Sequence, residues 1–285
     1  MPVQRDEPVQ LIAQEQVRLF AELRKLPDAS WSRPSHHEPW TVAQVVAHLA
    51  LGAQFFQQSI GRALRGDCHP PALPGGQRMT SETFVERLNT RQEELAKKPR
   101  SEILAVFDKT GSELVDLLRR VAPHNMTRPA WHPEKTWTIA MFVSMRVFDL
   151  AFHGWDIHVA LDPAAVIRLQ LQPFLLHLQL QFERRLFSGG PELDGVYRFD
   201  LGSQAWTTRV FAGKMSHGPL EPGPDAIIKT DANSFLLLST CRQSMSSLES
   251  RGLLKLEGDR ERAQGMLAAI CRSPAMTQGR NESEE

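Results

Sequence analysis

Residues 146–161 read RVFDLAFHGWDIHVAL. Phe, Leu, Val, Ile and Trp fill most positions, yet Arg146, Asp149, His153 and Asp156 interrupt them at helical intervals. At about 100° per residue these four side chains share an arc of about 80°. A helix this apolar must be covered by other helices, so the segment predicts a bundle with one polar stripe inside it. Asp149 and His153 are one turn apart, and a carboxylate and an imidazole at that spacing can bind one ion. Two ligands alone make a weak site, and a third has to come from another element.

His48 is the candidate for that third ligand. Thr41 and Gln44 form a T-x-x-Q capping box that predicts a helix start, and Trp40 before the cap can staple against Val45. Val42, Val45, Val46, Leu49, Phe56, Ile60 and Leu64 then make an apolar stripe that ends near Gly66, with His48 inside it. Facing helices of bundles commonly build metal sites from such residues. Two imidazoles and a carboxylate, His48, Asp149 and His153, favour zinc, while Mn, Fe or Ni would fit the same set. The same residues admit a second reading. Arg146 can pair with Asp149 or Asp156, making a buried Arg–Asp–His hydrogen-bond network with no ion.

The rest of the first ~160 residues is also expected to be helical. Val9, Ile12, Gln16, Leu19, Phe20 and Leu23 recur at helical spacing in 9–26, and amphipathic segments follow at 81–97 and 101–121. Residues 67–80 and 122–137 are loops by composition. After Asp162-Pro163 the pattern changes. A helix over 164–187 is followed by short strand-like runs at 196–201, 206–211, 226–230 and 253–257. Helices at 231–241 and 259–272 interleave, with Asp231 and Asp259 as caps. The expected fold class is therefore an all-α domain, 1–163, followed by a small α+β domain, 164–285, with a frayed charged tail, GRNESEE.

Two stretches carry a family resemblance. EPWTVAQVVAHLA (38–50) and, about 100 residues later, RVFDLAFHGWDIHVAL resemble the DinB-like four-helix bundle of mycothiol-dependent maleylpyruvate isomerases. The family pattern is W-T/S-x-x-D/Q-V-x-x-H-L, then R-x-x-E-x-x-x-H-x-W/V-D-L. The second half resembles the sterol-carrier-like α+β domain that often follows this bundle. The resemblance implies His48, Asp149 and His153 as metal ligands and Arg242 as the residue that binds substrate or thiol from the second domain. It also implies a small thiol as cosubstrate. Mycothiol is the one the family favours; bacillithiol, glutathione and ergothioneine have the same chemistry. In two places the chain departs from the pattern: Asp149 stands where the family has Glu, one methylene longer, and Cys241 stands where Gly is common, beside Arg242.

Isomerisation and thiol transfer are thus the expected activities, with Asp156 available to orient a ligand. A metal–water hydrolase needs the same three ligands. A non-catalytic lipid carrier is the other alternative, with Trp206, Phe211 and Phe235 as candidates to line an apolar cavity. Formal net charge is zero, so nucleic acid and anionic membranes are not expected partners. No apolar run reaches the ~18–20 residues of a membrane span and the start lacks a signal-peptide core, so a cytoplasmic location is expected. Oligomeric state is not readable from the pattern, though two halves able to bury their own cores suit a monomer. Cys68, Cys241 and Cys271 have no metal-binding spacing and are expected to be unpaired thiols. His158 should face away from His153, and the loop residues His69, His124 and His132 should lie at the surface.

Overall fold

The computed structural model describes residues 6–271; the GRNESEE tail lies outside the described residues. The chain forms two compact units, divided between Leu171 and Gln172. In the first, α1 (Asp6–Leu23), a short α2 (Asp28–Trp31), α3 (Val42–Leu64), α4 (Ser81–Ala96), α5 (Arg100–Arg120) and α6 (Ile139–Val159) follow in order. α1, α5, α3 and α6 form the bundle as a ring, each packed on the next, and α4 lies against α3. A two-residue ladder, β1 (Pro129–Ala130) with antiparallel β2 (Trp137–Thr138), leads into α6.

Caps and apolar stripes explain these helices. The Thr41 hydroxyl accepts from Gln44 N, and the Gln44 side chain accepts from Thr41 N at 2.8 Å, the full capping box. The Thr80 and Thr138 hydroxyls cap α4 and α6 by accepting from Thr83 N and Met141 N, without the reciprocal bond. Val42, Val45, Val46, Leu49, Phe56 and Ile60 are all buried, as their spacing requires. No helix among the described residues is long and apolar enough to cross a membrane.

Three polar ties lock the helices in register within this apolar ring. Gln16 Nε2 of α1 donates to the Phe107 carbonyl of α5 at 3.0 Å. Arg146 Nη1 of α6 donates to the Leu49 carbonyl of α3 at 2.9 Å, and Arg146 Nη2 reaches Gln16 Oε1 at 3.4 Å. Thr110 Oγ1 of α5 donates to the Ala50 carbonyl of α3 at 2.9 Å. Buried bonds of this kind cost about 1–3 kcal/mol when one partner is stranded. Gly111 leaves room for the Gln16 amide, since a Cβ there would sit 2.1 Å from Gln16 Cδ. Gly111→Ala should therefore displace that amide and lower stability by about 1–3 kcal/mol, measured by urea unfolding.

The second unit opens with α7 (Gln172–Leu186), which starts eight residues later than the expected 164–187 helix. Pro173 explains the shift: it suits a first turn, and it biases the residue before it away from helical geometry. A five-stranded sheet follows in the order β5-β4-β3-β6-β7. Its strands are β3 (Gly195–Asp200), β4 (Ala205–Phe211), β5 (Lys214–Gly218), β6 (Ala226–Lys229) and β7 (Lys255–Gly258). Only β3 and β6 pair in parallel. β5 was not expected, because its hairpin turn is Ala212-Gly213, with φ of 50° and 70°. Alanine at a positive φ is not a recognisable turn signal.

α8 (Ala232–Ser239), capped by Asp231, α9 (Met245–Ser250) and α10 (Arg260–Cys271), whose Arg262 N donates to Asp259, complete the unit. α10 packs on α8 and β6, and α7 on α8 and β5. Phe199 and Trp206 stack at 5.2 Å, and Phe235 meets both edge-on. Trp206 and Phe235 are thus core, while Phe211, offered above as a cavity residue, is 77% exposed because it falls on the outer face of β4. A second expectation is also corrected. Cys241 and Cys271 are disulfide-bonded, since the adjacent ends of α8 and α10 bring their Cα atoms to 5.4 Å; Cys68 is free.

Candidate metal centre

α3 and α6 are neighbours in the ring, and each carries one histidine toward the other. The His48 and His153 rings lie 4.8 Å apart, centroid to centroid, and nearly perpendicular. The Arg146 bond to the Leu49 carbonyl fixes the two helices beside this contact. His153 Nδ1 lies 3.0 Å from Asp156 Oδ2, three residues further along α6. Asp156 is fully buried, and its contact with Nδ1 holds the His153 ring in one orientation, with Nε2 turned away from the carboxylate.

Asp149 is half-buried one turn before His153, and its charge opposes the fall in pKa of Arg146. Burial lowers that guanidinium to about 10, so it stays charged at neutral pH. The donor atoms that lie within 4.8 Å of one another come from His37, His153 and Asp156, a set that does not include Asp149. His37 belongs to the loop between α2 and α3. Its ring is 5.2 Å from that of His153 and 4.5 Å from Trp40. Trp40 in turn lies 4.9 Å from His48. Nothing in the periodicity of the sequence marks His37, because a loop has none; two adjacent histidines just before the Trp-Thr helix cap were the one available signal.

The fit to a metal can be judged from His48. Its Nδ1 is buried and has no hydrogen-bond partner. Such a group is costly unless something satisfies it. Burial, then the neighbouring His153, His37 and Arg146, holds this imidazole well below its ordinary pKa against the counter-effect of a Gln92 hydrogen bond, so it is neutral and can bind a cation. Two facing imidazoles and nearby carboxylates suit a divalent transition metal such as zinc.

The other histidines separate from this centre. His158 faces α1, its Nε2 2.8 Å from Glu22 Oε2, as its angle on the helix predicts. His69 and His124 are exposed. His132 is not: it is buried and stacked on Trp137 at 3.4 Å, and its Nδ1 accepts from Glu134 N. The β1–β2 turn folds it inward among Phe55, Phe142 and Trp137. Burial lowers its pKa to about 3. Arg242 lies in the second unit, half-buried in the turn after α8, where its backbone N–H donates to the Leu237 carbonyl at 2.7 Å.

The crystal structure of the mycothiol-dependent maleylpyruvate isomerase resembles this fold with a TM-score of 0.61, over 85% of this chain and 91% of that one, at 14% identity. A mutant of that enzyme gives 0.60 with the same coverage and identity. The expected order, an all-α helical bundle followed by a small α+β domain, is thus the fold of this chain. No curated protein matches the chain significantly. The model of the mycothiol maleylpyruvate isomerase N-terminal domain matches residues 12–158, which hold His37, His48, Asp149, His153 and Asp156. By that match, which spans just over half of its length, the chain belongs to the mycothiol maleylpyruvate isomerase N-terminal domain family.

Proposed function

We propose that the protein is a metal-dependent enzyme using a small thiol, mycothiol or one like it. It would isomerise a small electrophile such as maleylpyruvate, or transfer the thiol to or from it. The observation that carries this reading is the facing pair His48 and His153, 4.8 Å apart, with a buried, unpartnered nitrogen on His48, inside the matched family domain. His48, Asp149 and His153 would hold the ion, with zinc favoured by the donor set. When bound, a divalent cation supplies the positive charge that favours thiolate over thiol at neutral pH.

The chain's own residues do the rest. Asp156 contacts His153 Nδ1 and holds that ring in one orientation. Arg146 ties α6 to α3 and keeps the two imidazoles facing. Arg242 would hold a substrate carboxylate, as a bidentate fork. The thiol adds to the cis double bond, the bond gains single-bond character and rotates, and the thiol leaves with the trans product formed.

The test is purified protein with zinc, a panel of thiols including mycothiol, and activated electrophiles including maleylpyruvate. Conversion should require both metal and thiol. Conversion that proceeds equally without thiol would overturn this reading in favour of hydrolysis. A metal-free protein that retains fatty ligands would overturn it in favour of a carrier.

A further inference from the structure

The loop over residues 33–42 is held in one shape by main-chain bonds. Ser35 N donates to the Trp40 carbonyl at 2.8 Å, Trp40 N to the His37 carbonyl at 2.8 Å, and Val42 N to the Arg33 carbonyl at 3.0 Å. The Ser35 hydroxyl also accepts from His37 N at 3.1 Å. One bond fastens the loop to the bundle: His36 N donates to the carbonyl of Asp156, on α6, at 3.1 Å. The loop therefore sits over the same turn of α6 that carries His153 and Asp156.

This placement aims His37 at the centre. Its Nδ1 is 4.0 Å from Asp156 Oδ2, its ring meets that of His153 edge-on at 5.2 Å, and it is close enough to act electrostatically on His48. Three imidazoles from three separate elements thus converge. Donors around one tetrahedral ion, at ~2.1 Å each, are about 3.4 Å apart. Ligand atoms of His37 and His153 are already within 4.8 Å of each other, beside the Asp156 carboxylate, so a small rotation of the His37 ring closes the difference to an ion on His153. His37 is also the most exposed of the three: its side chain is 26% exposed, against 12% for His153 and 0% for Asp156.

Resting on the metal-centre reading above, we propose that His37 is a further ligand to the same ion, supplied by the loop and displaced when the thiol enters. A ligand on a loop is suited to this exchange, whereas His48 and His153 are held by packed helices. The loop keeps its main-chain bonds when the ring swings away, so the exchange needs no rearrangement of the bundle.

Cobalt-substituted full-length protein tests this, because the visible spectrum of Co2+ reports the number and kind of its ligands. His37→Ala and His37→Asn should both remain folded by circular dichroism and should weaken Co2+ binding by about tenfold or more. Their spectra should differ from the wild type before any thiol is added. Titration with 2-mercaptoethanol should bring wild type and variants to the same spectrum, with the variants saturating at lower thiol. If wild type binds Co2+ and His48→Ala loses it, while the His37 variants match wild type in affinity and spectrum, His37 is not a ligand and only this inference falls. If wild-type protein binds no ion, this inference and the metal-centre reading fall together.

Discussion

His48→Ala should reduce bound zinc from about one ion per chain to a trace, as measured by elemental analysis of protein dialysed against a weak chelator. Thiol-dependent turnover should fall with it. An ordinary thiol of pKa ~8.5 is only about 3% thiolate at pH 7, so losing full ionisation alone costs roughly thirtyfold. Loss of positioning adds to that, and the total should reach at least about a hundredfold in kcat/KM. The same variant separates the ion from the alternative of a buried Arg–Asp–His network. His48→Ala also removes a Gln92 hydrogen bond and packing against Trp40 and His153, so some loss of metal-free stability goes with either reading. What should vanish is the stabilisation by added zinc, about 2.7 kcal/mol at a hundredfold excess over Kd in the wild type. If His48→Ala leaves the zinc response intact, the network reading prevails.

The second large effect concerns the α+β unit and is independent of metal. Glu183 of α7 is 1% exposed; its Oε1 accepts from Gln179 Nε2, and its Oε2 has no partner. Burial raises its pKa to about 8, against the counter-effect of the Gln179 bond. His217 of β5 faces it, Nε2 to Oε2 3.9 Å, and burial lowers that imidazole to about 4. Trp206 Nε1 donates to Thr208 Oγ1, whose hydroxyl meets His217 Nδ1 at 3.0 Å.

The two shifts act on stability with opposite signs. Glu183 stays protonated in the folded state where the unfolded chain has already ionised, so between its unfolded pKa of ~4.3 and about 8 it makes stability fall as pH rises. His217 does the reverse between about 4 and its unfolded value of ~6.5, where the unfolded chain binds the extra proton. From about pH 4.3 to 6.5 the two nearly cancel. Above pH 6.5 Glu183 acts alone, at about 1.4 kcal/mol per pH unit, or about 2 kcal/mol by pH 8. Denaturant unfolding followed by circular dichroism should show this loss in wild type and a flat response in Glu183→Gln. An equal loss in both would mean that Glu183 is already ionised in the folded protein.

Much of the bundle can be read from local signals. The T-x-x-Q pair at Thr41 and Gln44 forms the cap it predicts, and the stripes of α3 and α6 are buried where their spacing puts them. The facing of His48 and His153 follows from the same periodicities, because a polar residue in an apolar stripe has to meet another element. What local pattern does not carry is long-range placement. His37 reaches the centre from a loop that is fastened by a bond from its neighbour His36 to the backbone of a residue 120 positions away. The Cys241–Cys271 bond joins two helix ends that no spacing rule relates, and His132 is buried by a two-residue ladder too short to recognise. Pro173 was legible and decisive for the start of α7, yet the apolar residues before it continue the helical pattern.

Asp156 grips its surroundings twice, with the carboxylate on His153 and with the peptide carbonyl on His36. The second grip involves no side chain at all, so mutation can change the group presented at position 37 while the frame beneath it keeps its place. A scaffold of this kind permits chemical novelty at low structural risk: one codon can retune what meets an incoming molecule without re-solving how four helices pack.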